Sequence, residues 1–327
     1  MKKRINMRKT SLQAILIAAG FTAQAQAQSN VTIYGNFDVA INKETNAAVK
    51  VDRGSNNVLG FKGSEDLGGG LSTVFNLQTR FKPDTGAQER PTTLWQGETT
   101  IGLKSASLGS LRLGRALTPM WNNIWLFEPW YNSGFNGSLA SYQTGSFSSD
   151  GTNDVIPGGS DSDFHDFARL SNGVFYDSPT FNGFRVAAAG QAERSTGAKA
   201  RNLGVSLNYG AGPIAAMVSY ERNTNMDNIY FLGASYSFGS LALMGSYAHT
   251  KVAGVNPERL YVLAATYAVG ADTVKVGYGR NQESGNHKVG LGYNHPLSKR
   301  TNLYADLYRE KTTNSKNGVA VGMNHTF

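Results

Sequence analysis

From about residue 30 to the end of the chain, apolar and polar positions alternate with a period of two. Over 239–249, Leu241, Leu243, Gly245 and Tyr247 alternate with Ala242, Met244, Ser246 and Ala248. Over 202–209, Leu203, Val205, Leu207 and Tyr209 alternate with Asn202, Gly204, Ser206 and Asn208. Over 71–81, Leu71, Phe75, Leu77 and Phe81 share one parity, while Ser72, Asn76, Gln78 and Arg80 take the other. In an extended chain successive side chains point to opposite faces, so this pattern predicts strands with one apolar and one small or polar face.

A soluble β-sandwich alternates too. Three features separate this chain from one. The segments run about 9–12 residues, whereas globular strands average about 5–6 and a tilted membrane strand needs about 9–11. Tyr209, Tyr236, Phe238, Tyr267, Tyr293 and Phe327 stand at segment ends, as aromatic girdles at the two membrane interfaces require. Short turns, such as Gly210-Ala211-Gly212, Gly239-Ser240 and Gly270-Ala271-Asp272, alternate with longer polar connections. The expectation is an all-β fold, a transmembrane antiparallel β-barrel of about 16 strands. The strands are placed near residues 31, 56, 70, 95, 110, 168, 183, 200, 213, 227, 240, 258, 272, 285, 300 and 317. At that size side chains no longer fill the interior, and the polar parity faces water.

One connection breaks the pattern. Residues 119–167 hold Trp121, Trp125 and Trp130, with Phe127, Tyr131 and Phe135, and their second half is acidic: Asp150, Asp154, Asp161, Asp163 and Asp166. A loop this long is functional or disordered, and its aromatic content demands a packed surface. The expectation is a loop folded into the lumen.

Residues 1–27 read as a signal peptide. A basic stretch to Thr10 precedes a short apolar run around Ile15–Ala19 and the small-x-small exit Ala23-Gln24-Ala25-Gln26-Ala27. The barrel domain is then 28–327. The leader also explains the charge. Lys+Arg is 31 against Asp+Glu 23 over 327 residues, but five of the cations lie in the first nine positions. No body-wide basic stripe remains for nucleic acid. With no cysteine, disulfides, thiolate metal sites and a cysteine nucleophile are excluded. His165, His249, His287, His295 and His325 fit no catalytic or zinc motif, so neither an enzyme, a cofactor nor a metal site is expected.

Particular motifs add a resemblance. They are Val31-Thr32-Ile33-Tyr34-Gly35, Leu59-Gly60-Phe61-Lys62-Gly63-Ser64-Glu65-Asp66-Leu67-Gly68-Gly69-Gly70-Leu71, Leu113-Gly114-Arg115 with Thr118-Pro119, Tyr176-Asp177-Ser178-Pro179, Leu297-Ser298-Lys299-Arg300-Thr301 and the terminal Val321–Phe327. Through them the chain resembles the general trimeric porins of Gram-negative outer membranes, of the beta-proteobacterial type. The resemblance implies a homotrimer in the outer membrane among lipid and lipopolysaccharide, conducting small solutes, with 119–167 as the constriction loop. It also implies that Phe327 is read by the outer-membrane assembly machinery. Of the family's wall cations, Arg169 is matched, whereas Val58 and Gly97 stand at positions often basic and Gln78 at one often Glu. Arg80 and Arg112 join Arg169 as candidate pore residues on polar-parity or near-lumen positions, with Arg115 and Arg185 weaker ones, facing Asp150, Asp154, Asp161 and Asp163. The function expected is passive diffusion of small hydrophilic solutes and ions. The alternative is a channel specific for a narrower class, such as organic acids or ring-shaped solutes, for which the loop tryptophans would offer a stacking surface.

Overall fold

The computed structural model describes residues 30–131, 137–151, 168–194 and 196–327. The proposed signal peptide lies outside the described residues, as do Asp154, Asp161, Asp163 and Phe135. The chain forms one 17-stranded sheet: β1 (Asn30–Glu44), β2 (Lys50–Asp52), β3 (Val58–Gly68), β4 (Leu71–Arg80), β5 (Glu98–Ser105), β6 (Gly109–Leu117), β7 (Arg169–Asp177), β8 (Phe184–Gln191) and β9 (Leu203–Ala211), followed by β10 (Ile214–Arg222), β11 (Asn228–Phe238), β12 (Leu241–Lys251), β13 (Glu258–Val269), β14 (Asp272–Asn281), β15 (His287–Pro296), β16 (Thr301–Lys311) and β17 (Ser315–Thr326).

Sixteen of these are the barrel strands expected from alternation. Their starts fall within three residues of the expected ones, the largest offsets being 95 against 98 at β5 and 200 against 203 at β9. The three-residue β2 is an addition, formed in the first long connection and paired with the upper end of β1 through Ala40↔Asp52.

Sequential strands pair antiparallel, and β1 closes the cylinder. Its first half pairs with β3 from Asn30↔Ser64 to Asn36↔Val58, and its second half pairs with β17 from Asn36↔Thr326 to Glu44↔Gly318. Closure leaves no open edge, so every strand's backbone groups have a partner inside lipid. At the seam the Gly35 and Phe327 backbones exchange two hydrogen bonds of 3.1 Å. The Phe327 ring sits where Gly35 has no side chain: a Cβ there would lie 2.4 Å from the ring and from the Val58 carbonyl. Gly35→Val therefore overpacks the seam, at a cost of about 1–3 kcal/mol. The expected result is unfolding of the detergent-resistant barrel at a lower temperature, read from heat-dependent gel mobility, with Gly35→Ala between the two.

Tight turns join the strands at the end where both described termini lie. Gly239 and Gly270 take φ of +62° and +61° there, a conformation costly for other residues. The opposite end carries the long connections. Short turns belong to the periplasmic end of such barrels and long loops to the outer end.

The outward parity is an apolar surface: Ile33 is 59% exposed, Leu263 69%, Leu291 47% and Val321 60%. Tyr236, Phe238, Tyr267 and Tyr293 stay exposed near the tight-turn end. Toward the other end Tyr220 meets Tyr230 at 4.9 Å and Tyr247 meets Tyr261 at 5.2 Å between ring centroids. Two aromatic belts thus bracket the apolar band.

The inward parity is less uniform than alternation suggests. On β1 and β4–β6 it is polar, with Asp38, Asn42, Asn76, Gln78, Thr100 and Arg112. On β10–β13 it turns apolar, with Met217, Ile229, Phe231, Leu260 and Val262 almost fully buried. These side chains do not face water, because a loop covers them.

Candidate functional site

That loop leaves β6 after Leu117 and re-enters the sheet at Arg169. Its described part contains a 3-10 turn at Ile124–Phe127 and one helical turn, α1, at Ser141–Thr144. It crosses the lumen and packs on the inner wall of β10–β16. The anchors are three aromatic rings and one leucine seated on glycines. Phe127 occupies the space over Gly233, where a Cβ would come within 2.3 Å of its ring. Trp130 lies over Gly290 and Gly292, Leu139 over Gly277, and Tyr142 over Gly279. A side chain on any of these glycines would push the loop off the wall. Burying a large apolar side chain contributes about 1.5–3 kcal/mol, well above an exposed ion pair at about 0–1 kcal/mol. The aromatic seats therefore carry most of the loop's attachment.

Hydrogen bonds then fix its register. Trp130 donates its indole N–H to Asp306 Oδ1 at 2.8 Å, and the Tyr142 hydroxyl donates to Glu310 Oε1 at 2.9 Å. Burial, and then the Glu310 charge, push the Tyr142 phenol well above its usual range, so it stays a donor. Both legs of the loop meet Glu221 of β10. The Met120 amide reaches it at 3.0 Å and the Ser149 hydroxyl at 2.9 Å. Glu258 of β13 accepts the Ser146 amide at 2.8 Å. Within the loop, Glu128 accepts the amides of Trp130 and Leu139 at 3.1 and 3.4 Å, tying those two anchors to one carboxylate.

The three tryptophans divide. Trp121 and Trp130 are buried at 5% and 4% exposure, while Trp125 is 38% exposed and meets Tyr131, itself 60% exposed, edge-on at 5.8 Å. Two of the three pack the loop. Only Trp125 has a face left for anything else.

Opposite the anchored wall, arginines gather. Arg80 closes β4, Arg115 lies on β6 and Arg169 opens β7. Arg169 Nε donates to the Gly97 carbonyl at 2.5 Å, and Arg115 donates to the Gln96 carbonyl at 3.1 Å and to Ser171 Oγ at 2.6 Å. Two further cations join them from the outer connections: Arg53, following β2, and Arg90, between β4 and β5. Both are within electrostatic reach of Arg80. Glu89 sits among them, paired with Arg53 and 3.9 Å from Arg80, and accepting Gln96 Nε2 at 2.6 Å. From the loop, Asp150 lies within electrostatic reach of Arg115. Five guanidinium groups thus converge on Glu89, Glu98 and Asp150, leaving the cluster net positive.

Arg112 is placed differently. It belongs to a chain of ion pairs running around the wall, Glu98–Arg112 at 2.6 Å, Arg112–Asp177 at 3.3 Å and Asp177–Arg185 at 3.1 Å. Arg185 then reaches Asn123 Oδ1 of the loop at 2.6 Å. Paired on both sides, Arg112 lies apart from the Arg80–Arg115–Arg169 group.

Between the arginines and the loop, open space of about 840 Å³ is lined by Arg80, Arg169, Trp130, Tyr131, Lys275 and Asp306, among others. Sequence reasoning found Arg80, Arg115, Arg169 and Asp150 of this set. It missed Arg53, Glu89 and Arg90, which lie in connections where period two says nothing about facing. The one signal for Glu89 and Arg90 is the density of charge in 80–90.

A closed barrel with an apolar belt outside, a charged water-filled space inside and a loop packed across that space defines an outer-membrane channel. The chain belongs to the Gram-negative porin family, whose model matches residues 14–315. It is 30% identical to outer membrane porin protein 32 of Delftia acidovorans over 98% of this chain and all of that one. It is 28% identical to an outer membrane porin protein of Bordetella pertussis, again over 98% of this chain and all of that one. In fold it matches the anion-selective porin from Comamonas acidovorans with a TM-score of 0.76 at 24% identity, covering 92% of this chain and 100% of that one. The protein is a porin of the outer membrane, a water-filled channel through which small hydrophilic solutes and ions diffuse passively.

Proposed function

We propose that the loop 119–167 and the arginine cluster together form the constriction of this pore, and that the pore prefers anions. The observation that carries the reading is the convergence of Arg53, Arg80, Arg90, Arg115 and Arg169 on one side of the lumen, against few described carboxylates. Rings of charge at a narrow point set ion preference. A solute between this cluster and the loop meets a transverse field that orients dipoles and admits anions. Asp154, Asp161 and Asp163 continue the loop beyond its described part and add the opposing charge. Arg112, held by Glu98 and Asp177, holds the wall beneath the neck. The similar structure from Comamonas acidovorans is described as anion-selective, which accords with this assignment.

No catalytic step enters the function proposed. The working unit is a homotrimer: an OmpT structure of Vibrio cholerae, similar in fold at a TM-score of 0.66, is described as a trimer form. The signal peptide 1–27 directs export, Phe327 serves the outer-membrane assembly machinery as the terminal signal, and the apolar belt contacts outer-membrane lipid and lipopolysaccharide. The pore assignment is tested by the zero-current potential of the purified protein in a planar bilayer under a potassium chloride gradient. A potential of the sign set by chloride flow is the expected result; one set by potassium flow would refute the anion preference.

A further inference from the structure

An ion preference needs cations, and one part of the lumen is built differently. Toward the tight-turn end of the wall that carries the loop, the inward parity of β13–β17 sets amides and hydroxyls around a single lysine. Thr273 and Lys275 are two residues apart on β14, about 7 Å along the strand. Thr266 of β13 stands opposite Lys275, and Asn294 of β15 opposite Thr273. Asn302 of β16 donates to Asn294 Oδ1 at 2.5 Å and stands opposite Asn324 of β17. All six line the open space of about 840 Å³. Their bonding capacity is only partly used within the protein. Among the described residues, the Asn294 side chain donates to nothing and the Asn302 side chain accepts from nothing. The Thr266 and Thr273 hydroxyls and the Lys275 ammonium make no hydrogen bond or ion pair there. Asp306, two strands from Lys275 across Gly292, is engaged with the Trp130 indole. From the loop, Tyr131 lines the same space, 60% exposed, with its ring centre 5.8 Å from the Lys275 ammonium.

We propose that this row is a binding subsite for a sugar acid, a pyranose ring bearing one carboxylate. Lys275 takes the carboxylate in a charge-assisted hydrogen bond. Thr273, Asn294 and Asn302 take the ring hydroxyls. Amides and hydroxyls both donate and accept, so they match a partner whose hydroxyls do the same. The apolar C–H face of the ring lies against Tyr131, as pockets for small polar solutes combine an aromatic surface with a few placed polar groups. A phosphate would call for several converging cations, and here there is one. A simple carboxylate would leave the amide row unused, and an aromatic acid has no hydroxyls to offer it. The 7 Å between Lys275 and Thr273 is a separation that one sugar ring with its carboxylate spans. The inference rests on the anion-preferring pore proposed above and names the solute class that its lumen retains.

The test is block of chloride current through the purified porin in a planar bilayer, titrated with potassium glucuronate at constant ionic strength. Glucose, acetate and benzoate serve as comparison solutes. Glucuronate is expected to block in a saturable way, at a concentration at least about tenfold below that needed for each of the other three, the loss expected when one charge-assisted or several neutral hydrogen bonds are removed. Lys275→Gln is expected to weaken glucuronate block about tenfold, toward the level of glucose. Thr273→Val combined with Asn294→Ala is expected to weaken glucuronate block and leave the effect of acetate as it was. Equal block by glucuronate and acetate would reduce the site to charge alone and overturn the proposal. Equal block by glucose or by benzoate would overturn it too, as would no saturable block. These comparisons use the natural protein, so they hold even if a variant fails to fold. Undiminished glucuronate block in a folded Lys275→Gln porin would place the site elsewhere and refute it. A pore of ordinary conductance and chloride preference that glucuronate does not block refutes the sugar-acid subsite alone; a reversed ion preference refutes the reading on which it rests.

Discussion

Removing residues 121–149 and joining the loop ends with a short Gly-Ser linker is expected to raise single-channel conductance several-fold. The described loop fills the lumen in front of β10–β16 with Phe127, Trp130, Leu139 and Tyr142, all of them seated on the wall. Current through a water-filled pore is limited by its narrowest cross-section, and this segment occupies that cross-section. The deletion also exposes Ile229, Phe231, Leu260 and Val262 to water and takes from Glu221 its Ser149 donor and from Glu258 its Ser146 donor. The variant barrel should therefore unfold at a lower temperature as well as conduct more. Conductance equal to that of the natural protein would mean that the limiting section lies elsewhere.

The second large effect concerns charge. Arg80→Glu combined with Arg115→Glu is expected to convert a preference for chloride into one for potassium. Each substitution changes the cluster by two charges, so the pair changes it by four. The remaining cations Arg53, Arg90 and Arg169 then face Glu89, Glu98, Asp150 and two new carboxylates. Arg169 is the poorer choice for such a test. It is 4% exposed and its guanidinium holds the Gly97 carbonyl, so replacing it strands a buried acceptor and disturbs the wall. The measurement is the zero-current potential in a salt gradient, which should change sign. Arg112→Gln provides the contrast. Because that residue is paired with Glu98 and Asp177, its loss should shift the potential far less.

How far the sequence was legible follows from what period two can and cannot carry. Every barrel strand was visible because lipid imposes a hard rule on one parity, and the starts followed within three residues. β2 was invisible: three residues are too short to show alternation. The assumption of a uniformly polar lumen failed on β11 and β13, and the sequence contains the reason. Ile229-Tyr230-Phe231-Leu232 and Leu260-Tyr261-Val262-Leu263 are apolar on both parities. A wall that is apolar on both faces must be covered from inside, and the tryptophan-rich loop is the segment available to cover it. The glycines at 233, 277, 279, 290 and 292 belong to the same signal. They look like small lumen residues and serve as seats for rings. Arg53, Glu89 and Arg90 stayed hidden for a different reason. They reach the arginine cluster from outer connections, whose path into the lumen depends on tertiary hydrogen bonds such as Gln96 to Glu89 and Glu89 to the Arg80 carbonyl.

Because the chain contains no cysteine, single cysteines can be placed on either face without background. The decisive measurement is planar-bilayer current during addition of a bulky, charged, membrane-impermeant thiol reagent. Cysteines at Thr266 and Lys275, which line the open space beside the loop, should react and reduce the current. Cysteines at Leu263 and Leu291, on the outward parity, should leave it unchanged. Current loss at the outward pair, or none at the inward pair despite reagent reaching both sides of the bilayer, would contradict the assignment of one parity to lipid and the other to the aqueous pore.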